Sequence, residues 1–184
     1  MGQYYKALIL AEKPVSEEKE FTRAAVSSFA FNSGSKLIEH SYIGEAFMSA
    51  VEFLLSPLGM FYKSRLVWAG DYADPEPGYG PDSEKNLYSL CESKEYMPNL
   101  PIDYCEIMQG YNFIVNHTKK QYVTKAGRVF HPLSLLTAEG NGRGGGDYHG
   151  SCEDLVGTWA RDVISMEMTA PVEYTELASA FGQE

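Results

Sequence analysis

Tyr111-Asn112-Phe113-Ile114-Val115-Asn116-His117-Thr118-Lys119-Lys120-Gln121-Tyr122-Val123-Thr124 reads as a hairpin. Two arms, Tyr111–Val115 and Gln121–Thr124, are rich in β-branched and aromatic residues and flank the polar loop Asn116–Lys120. Antiparallel pairing of this kind sets the fold class. Working outward, Gln3–Glu12 reads as a first strand centred on Leu8, Ile9 and Leu10. Arg23–Phe31, Lys36–Tyr42 and Lys63–Ala69 read as further strands, Pro101–Met108 as a lead into strand, and Val156–Met168 as the last strand. Between them Ile43, Phe47, Ala50, Val51 and Leu54 recur on one helical face, predicting an amphipathic helix over about 43–55 with Ser41 as N-cap and Ser56-Pro57 as its stop. Leu87–Asn99 is ambiguous, with a short helix ending at Pro98 as one reading. Tyr174, Leu177 and Phe181 predict a C-terminal helix over Val172–Phe181. Strands without βαβ alternation give an α+β fold, mainly antiparallel sheet, in a single domain over residues 1–184.

Composition excludes several function classes. Net charge is −10, which disfavours general binding to nucleic-acid backbones or to an anionic membrane surface. A basic protein partner suits that charge, as does solubility alone. The longest apolar run is too short for a membrane span, and no secretory leader is visible, so a cytoplasmic location is expected. Cys91, Cys105 and Cys152 form neither a disulfide framework nor a zinc motif. No two of His40, His117, His131 and His149 have the spacing of metal ligands on a helix, so no metal and no particular cofactor is indicated.

The sharpest chemical feature is the glycine-rich segment Gly140–Gly150. Glycines at this density let backbone amides turn inward into an anion-binding concavity. Asn141, Arg143, Gly144, Gly145, Gly146, Asp147 and His149 are the candidate ligand-binding residues, with Arg143 as a clamp for phosphate or carboxylate. Asp147 and His149 are the candidate catalytic acid and base. The segment matches neither a P-loop nor a dinucleotide fingerprint, and in the plainer reading its glycines serve unusual backbone angles while Arg143 and Asp147 pair with each other. Asp71, Asp74 and Asp82 in the Pro/Gly-rich loop Gly70–Asp82 read as a solvated acidic loop more readily than as a calcium site. Ser151 and Cys152 lack a nucleophile motif around them. A short echo, Trp68-Ala69-Gly70-Asp71 and Trp159-Ala160-Arg161-Asp162, would let Asp71 and Asp162 converge if the two strands were neighbours.

Gly2-Gln3-Tyr4-Tyr5-Lys6, Lys36–Ser41, Gly70-Asp71-Tyr72-Ala73-Asp74, Asn116–Lys120 and the run from His131 to Asp147 resemble a group of small uncharacterised proteins of bacteria and their phages. The resemblance covers most of the chain and implies a bacterial or prophage setting, but it carries no catalytic residue with it. In that setting the expected function is a non-enzymatic interaction protein, an inhibitor or host-interaction factor with a protein partner. The alternative is a small enzyme or ligand-binding domain that takes a phosphorylated or nucleotide-like molecule on residues 140–150. A homo-oligomer built on the aromatic-rich strands is the third expectation.

Overall fold

The computed structural model of the protein describes residues 2–11, 22–76, 85–91, 95–141, 146, 148 and 152–177. In chain order the strands are β1 (Tyr5–Leu10), β2 (Thr22–Val26), β3 (Ser64–Gly70), β4 (Phe113–Asn116), β5 (Gln121–Thr124), β6 (Ala138–Glu139), β7 (Val163–Glu167) and β8 (Thr175–Glu176). The helices are α1 (Leu37–His40), α2 (Ala46–Leu55), α3 (Leu87–Leu90), α4 (Tyr104–Gln109) and α5 (Pro132–Leu136). Among the described residues all eight strands join one sheet in the order β2-β1-β3-β7-β4-β5-β8, with β6 beside β3. Pairing is antiparallel except at β3–β6 and β5–β8. The fold is therefore α+β with a mainly antiparallel sheet, as the hairpin implies.

The apolar run in β1 has a direct explanation. Tyr5, Ala7 and Ile9 point into the larger core, while Leu8 and Leu10 point into a second core on the opposite face. In β3, Leu66 and Trp68 divide from Val67 and Ala69 in the same way. A strand buried on both faces loses the polar alternation of a surface strand. The larger core lies beneath α2 and α5, and the smaller one beneath α3.

The main helix, α2, begins later than its periodicity suggests. Its N-cap is Glu45 and not Ser41, because the Glu45 carboxylate accepts from the amides of Phe47 (2.8 Å) and Met48 (3.2 Å). Further readings are corrected. Lys36–Tyr42 holds the one-turn helix α1 in place of a strand, and the stretch after β2 closes as a 3-10 turn at Ser28–Phe31. Residues 104–109, within the expected lead into strand, form helix α4 ahead of β4. The last strand is confined to Val163–Glu167. In the described part of Val172–Phe181 the expected C-terminal helix is replaced by β8. There the edge carbonyls of Lys120 and Tyr122 accept from the amides of Thr175 (3.0 Å) and Leu177 (2.7 Å). An open sheet edge offers those bonds to any passing chain, and a lone short helix has no equal compensation.

Two buried histidines lie under this sheet. His40 sits in the larger core against Phe47 and Trp68. Its Nε2 accepts from Trp68 Nε1 at 2.9 Å, so Nδ1 carries the proton and donates to the Gly34 carbonyl at 2.9 Å. That pattern requires neutral imidazole. Burial lowers the His40 pKa below its ordinary 6.5, against the raising effects of the Gly34 bond and of Glu45 and Glu39. Above pH 6.5 the ring is neutral in folded and unfolded chains alike, and the full stability is present. Below it the unfolded chain takes up a proton that the native state refuses, so stability falls with pH until the native pKa is passed. The expected result is a melting temperature lower at pH 5.5 than at pH 7.5, with a shallower pH dependence in His40→Gln, measured by calorimetry. An unchanged slope in that variant would remove His40 as the cause.

Candidate functional site

Three ionisable side chains from distant parts of the chain meet beneath a cleft on the α2 side. Glu52 is the one charged residue in the ten-residue α2. Lys125 follows β5 directly and is held by its amide to the Asn112 carbonyl at 2.9 Å. His131 is the N-cap of α5, its Nδ1 accepting from Leu133 N at 3.2 Å. The three are at most 5% exposed. Glu52 Oε1 lies 2.5 Å from Lys125 Nζ and 2.8 Å from His131 Nε2. Because His131 Nδ1 is an acceptor, the ring proton sits on Nε2 and is donated to Glu52. Lys125 Nζ also donates to the Met108 carbonyl in α4 at 2.8 Å.

The cleft above this cluster encloses about 150 Å³ and is partly open at its mouth. Ser49 and Glu52 line it from one turn of α2, and Cys105, Met108 and Gln109 from α4. Asn112, Ile43 with Gly44, and the turn Lys125–Arg128 complete the wall. That turn closes through Arg128 N to the Lys125 carbonyl (3.2 Å) and needs Gly127 at φ 74°. Arg128 anchors its Nε on the Thr124 carbonyl at 2.7 Å, and burial lowers its pKa. Beside Cys105, Tyr104 donates to the Ala46 carbonyl, and its phenol is pushed up to about 12, first by burial.

Of the glycine-rich segment, residues 140, 141, 146 and 148 are described. Arg143, Gly144, Gly145, Asp147 and His149 lie outside the described residues, as does Ser151. Asn141 is exposed, and Gly146 is described. Asn141 bonds the buried Gln3 amide, and Gly146 lies against Tyr5 and the Gln3 side chain. Gln3 accepts from Asn141 N (3.2 Å) and Tyr72 N (3.1 Å), and donates to Tyr5 Oη and Asn141 Oδ1. A Cβ at Gly140 would overlap that amide. At Gly146, φ is 58° and a Cβ would stand 2.9 Å from Tyr5 Oη. These two glycines thus answer a close approach to the start of β1. Gly146→Ala is expected to cost more than about 1 kcal/mol in urea unfolding, since Ala is strained at positive φ. A cost near zero would show that the chain can move off Tyr5.

Asp71 and Asp162 are not brought together. Asp71 caps Tyr4 N at 3.0 Å, whereas Asp162 accepts from Asn116 Nδ2 (2.8 Å) and Lys119 Nζ (2.5 Å). Between their segments Arg161, at φ 66°, grips Glu76 with two parallel bonds (2.8 and 2.7 Å) and Glu139 with two more. Four charge-assisted bonds raise its pKa well above the usual arginine value.

A Ser–His contact occurs elsewhere and is not a nucleophile pair. His117 Nε2 lies 2.8 Å from Ser165 Oγ, but the serine proton goes to Glu167 at 2.6 Å. His117 therefore donates to the serine in place of accepting from it, and Ser165 is buried. Burial and the nearby Lys63 lower the His117 pKa. The residue is half-buried and bonded to Tyr174 (3.1 Å), although it lies in the loop of the β4–β5 hairpin.

None of Glu52, Lys125 and His131 is singled out as a site residue by the sequence. One signal was present: a solitary carboxylate within the apolar run Ala46–Leu55. Comparison with protein-family models, curated proteins and solved structures finds no match to this chain.

Proposed function

We propose that this protein is a small-molecule-binding domain whose ligand sits in the cleft above Glu52, Lys125 and His131. The observation that carries the reading is the burial of a carboxylate and an ammonium, Glu52 and Lys125, in the wall of that cleft, with the His131 imidazole bonded to Glu52 behind it. Desolvating each ion costs several kcal/mol, and apolar residues of similar volume usually serve stability as well or better. A cluster of ions beside a cleft therefore favours recognition over packing. Cys91, Cys105 and Cys152 stand outside disulfides, which supports a reducing, cytoplasmic setting. No helix among the described residues is long and apolar enough to cross a membrane.

The test is a fragment screen by protein-observed NMR. Binding should move the amide signals of Ser49, Glu52, Lys125 and Gly127. It should also raise the melting temperature, by the equivalent of about 2.7 kcal/mol at a hundredfold excess over Kd. A screen in which no fragment at millimolar concentration perturbs those amides rules the reading out.

A second reading, an interaction protein with a protein partner, is favoured by exposed apolar surface. Met60 Sδ touches Tyr96 Oη at 3.1 Å, and Leu58, Met60 and Met97 are 57–66% exposed. Methionine-rich surface adapts readily to partners. A stoichiometric partner released by Met60→Glu supports this reading, whereas a partner that Met60→Glu leaves bound counts against it.

A further inference from the structure

We infer that the cleft is built for a neutral, single-ring molecule with an amide edge, an N–H donor beside a carbonyl acceptor. This rests on the small-molecule reading above and specifies its ligand. The first ground is polar atoms without partners. Glu52 Oε1 takes both Lys125 and His131, whereas Oε2 has no hydrogen-bond partner among the described residues. Ser49, one turn earlier and 1% exposed, likewise has no partner for its hydroxyl among them. Among the described residues Ser28 Oγ alone is both fully enclosed and unpartnered, so Ser49 Oγ and Glu52 Oε2 open into the cleft that they line. A carboxylate oxygen that opens into a cleft accepts from the donor that enters it.

The second ground is the donors beside it. An ammonium has three N–H bonds, and Lys125 spends two of them, on Glu52 and on Met108. The side-chain amides of Gln109 and Asn112 line the wall without side-chain partners among the described residues. An acceptor on the ligand is thereby provided for.

Charge and size narrow the class. A ligand cation would stand beside Lys125 and Arg128, and a ligand carboxylate beside Glu52, so each ion meets a like charge. Within the cluster Glu52 is already balanced by Lys125 at 2.5 Å. The volume of about 150 Å³ matches the roughly 150 Å³ at which an engineered cavity accepts a benzene ring. A six-membered lactam satisfies all of these constraints: its N–H serves Glu52 Oε2, and its carbonyl faces the ammonium or the wall amides.

The probes are 2-pyridone and uracil, titrated against the full chain and followed by NMR. Controls are N-methyl-2-pyridone, benzene, acetate and ethylammonium. The expected result is saturable binding of 2-pyridone or uracil with shifts at 49–52 and 125–127. N-methyl-2-pyridone and benzene should bind at least tenfold more weakly. Ser49→Ala, which leaves the ion cluster whole, should weaken 2-pyridone by about three- to tenfold, the worth of one neutral hydrogen bond. Benzene, acetate or ethylammonium binding in the cleft as tightly as 2-pyridone would overturn the lactam assignment and leave the small-molecule reading standing. No binding of any probe at millimolar concentration, with only ordered water in a crystal structure of the cleft, would overturn the lactam assignment. Failure of the broader fragment screen as well would remove both.

Discussion

Glu52→Ala unfolds at markedly lower urea, with a loss of about 3–5 kcal/mol, the usual cost of breaking a buried ion pair from one side. The loss has two named sources. Lys125 Nζ keeps the Met108 carbonyl but loses its counter-charge, at 5% exposure. His131 Nε2–H loses its acceptor in a fully buried setting. A paired variant separates charge from packing. Glu52→Leu with Lys125→Met removes both ions, and such exchanges are commonly neutral or stabilising, so the double variant should recover the part of the loss that Lys125 causes, leaving the part from His131 Nε2–H. The 2-pyridone binding proposed for the cleft should vanish all the same. An Ala variant within 1 kcal/mol of the parent would mean that water reaches the cluster and solvates the lysine.

Trp68→Ala is expected to cost about 3–5 kcal/mol, the range for truncating a large aromatic in a core. Trp68 is fully buried in β3, in the middle of the sheet, with edge contact to Phe47 and tilted contact to His40. Trp68→Phe isolates the polar part. It keeps an aromatic body but removes the Nε1–H that His40 Nε2 accepts. Leaving that nitrogen unsatisfied costs about 1–3 kcal/mol. It also lifts one constraint on the ring's protonation, while burial, the main cause of the lowered His40 pKa, persists, so the loss of stability below pH 6.5 should become only slightly shallower. Equilibrium unfolding at pH 7.5 and pH 5.5 measures both effects. A Phe variant as stable as the parent, with the same pH slope, would dismiss the indole–imidazole bond as a contributor.

The elements legible in the sequence are those that carry their own periodicity. The β4–β5 hairpin, β1, β3 and the ten-residue α2 were readable because each spans enough residues for a pattern to repeat. The elements misread are short. Helix α1 has four residues and α4 has six, below the length at which a helix holds without tertiary support. Strand β8 has two residues and exists because β5 presents an open edge. Local composition over so few residues does not choose between helix and strand.

The candidate site separates the two levels more sharply. Glycines 140–150 announced themselves by composition, yet what is described of them answers Gln3 and Tyr5, residues more than a hundred positions away. Glu52 was visible only as one carboxylate in an apolar helix, and Lys125 and His131 not as site residues at all. They are separated from Glu52 by 73 and 79 positions. Sequence by itself determined the α+β class, the antiparallel hairpin, the main helix and an acidic chain with no membrane-spanning helix among its described residues. Only the tertiary structure decided which polar groups lose their water together. Periodicity records which face of an element is buried, but the cost and use of burying an ion depend on what stands opposite it, and that partner arrives from elsewhere in the chain.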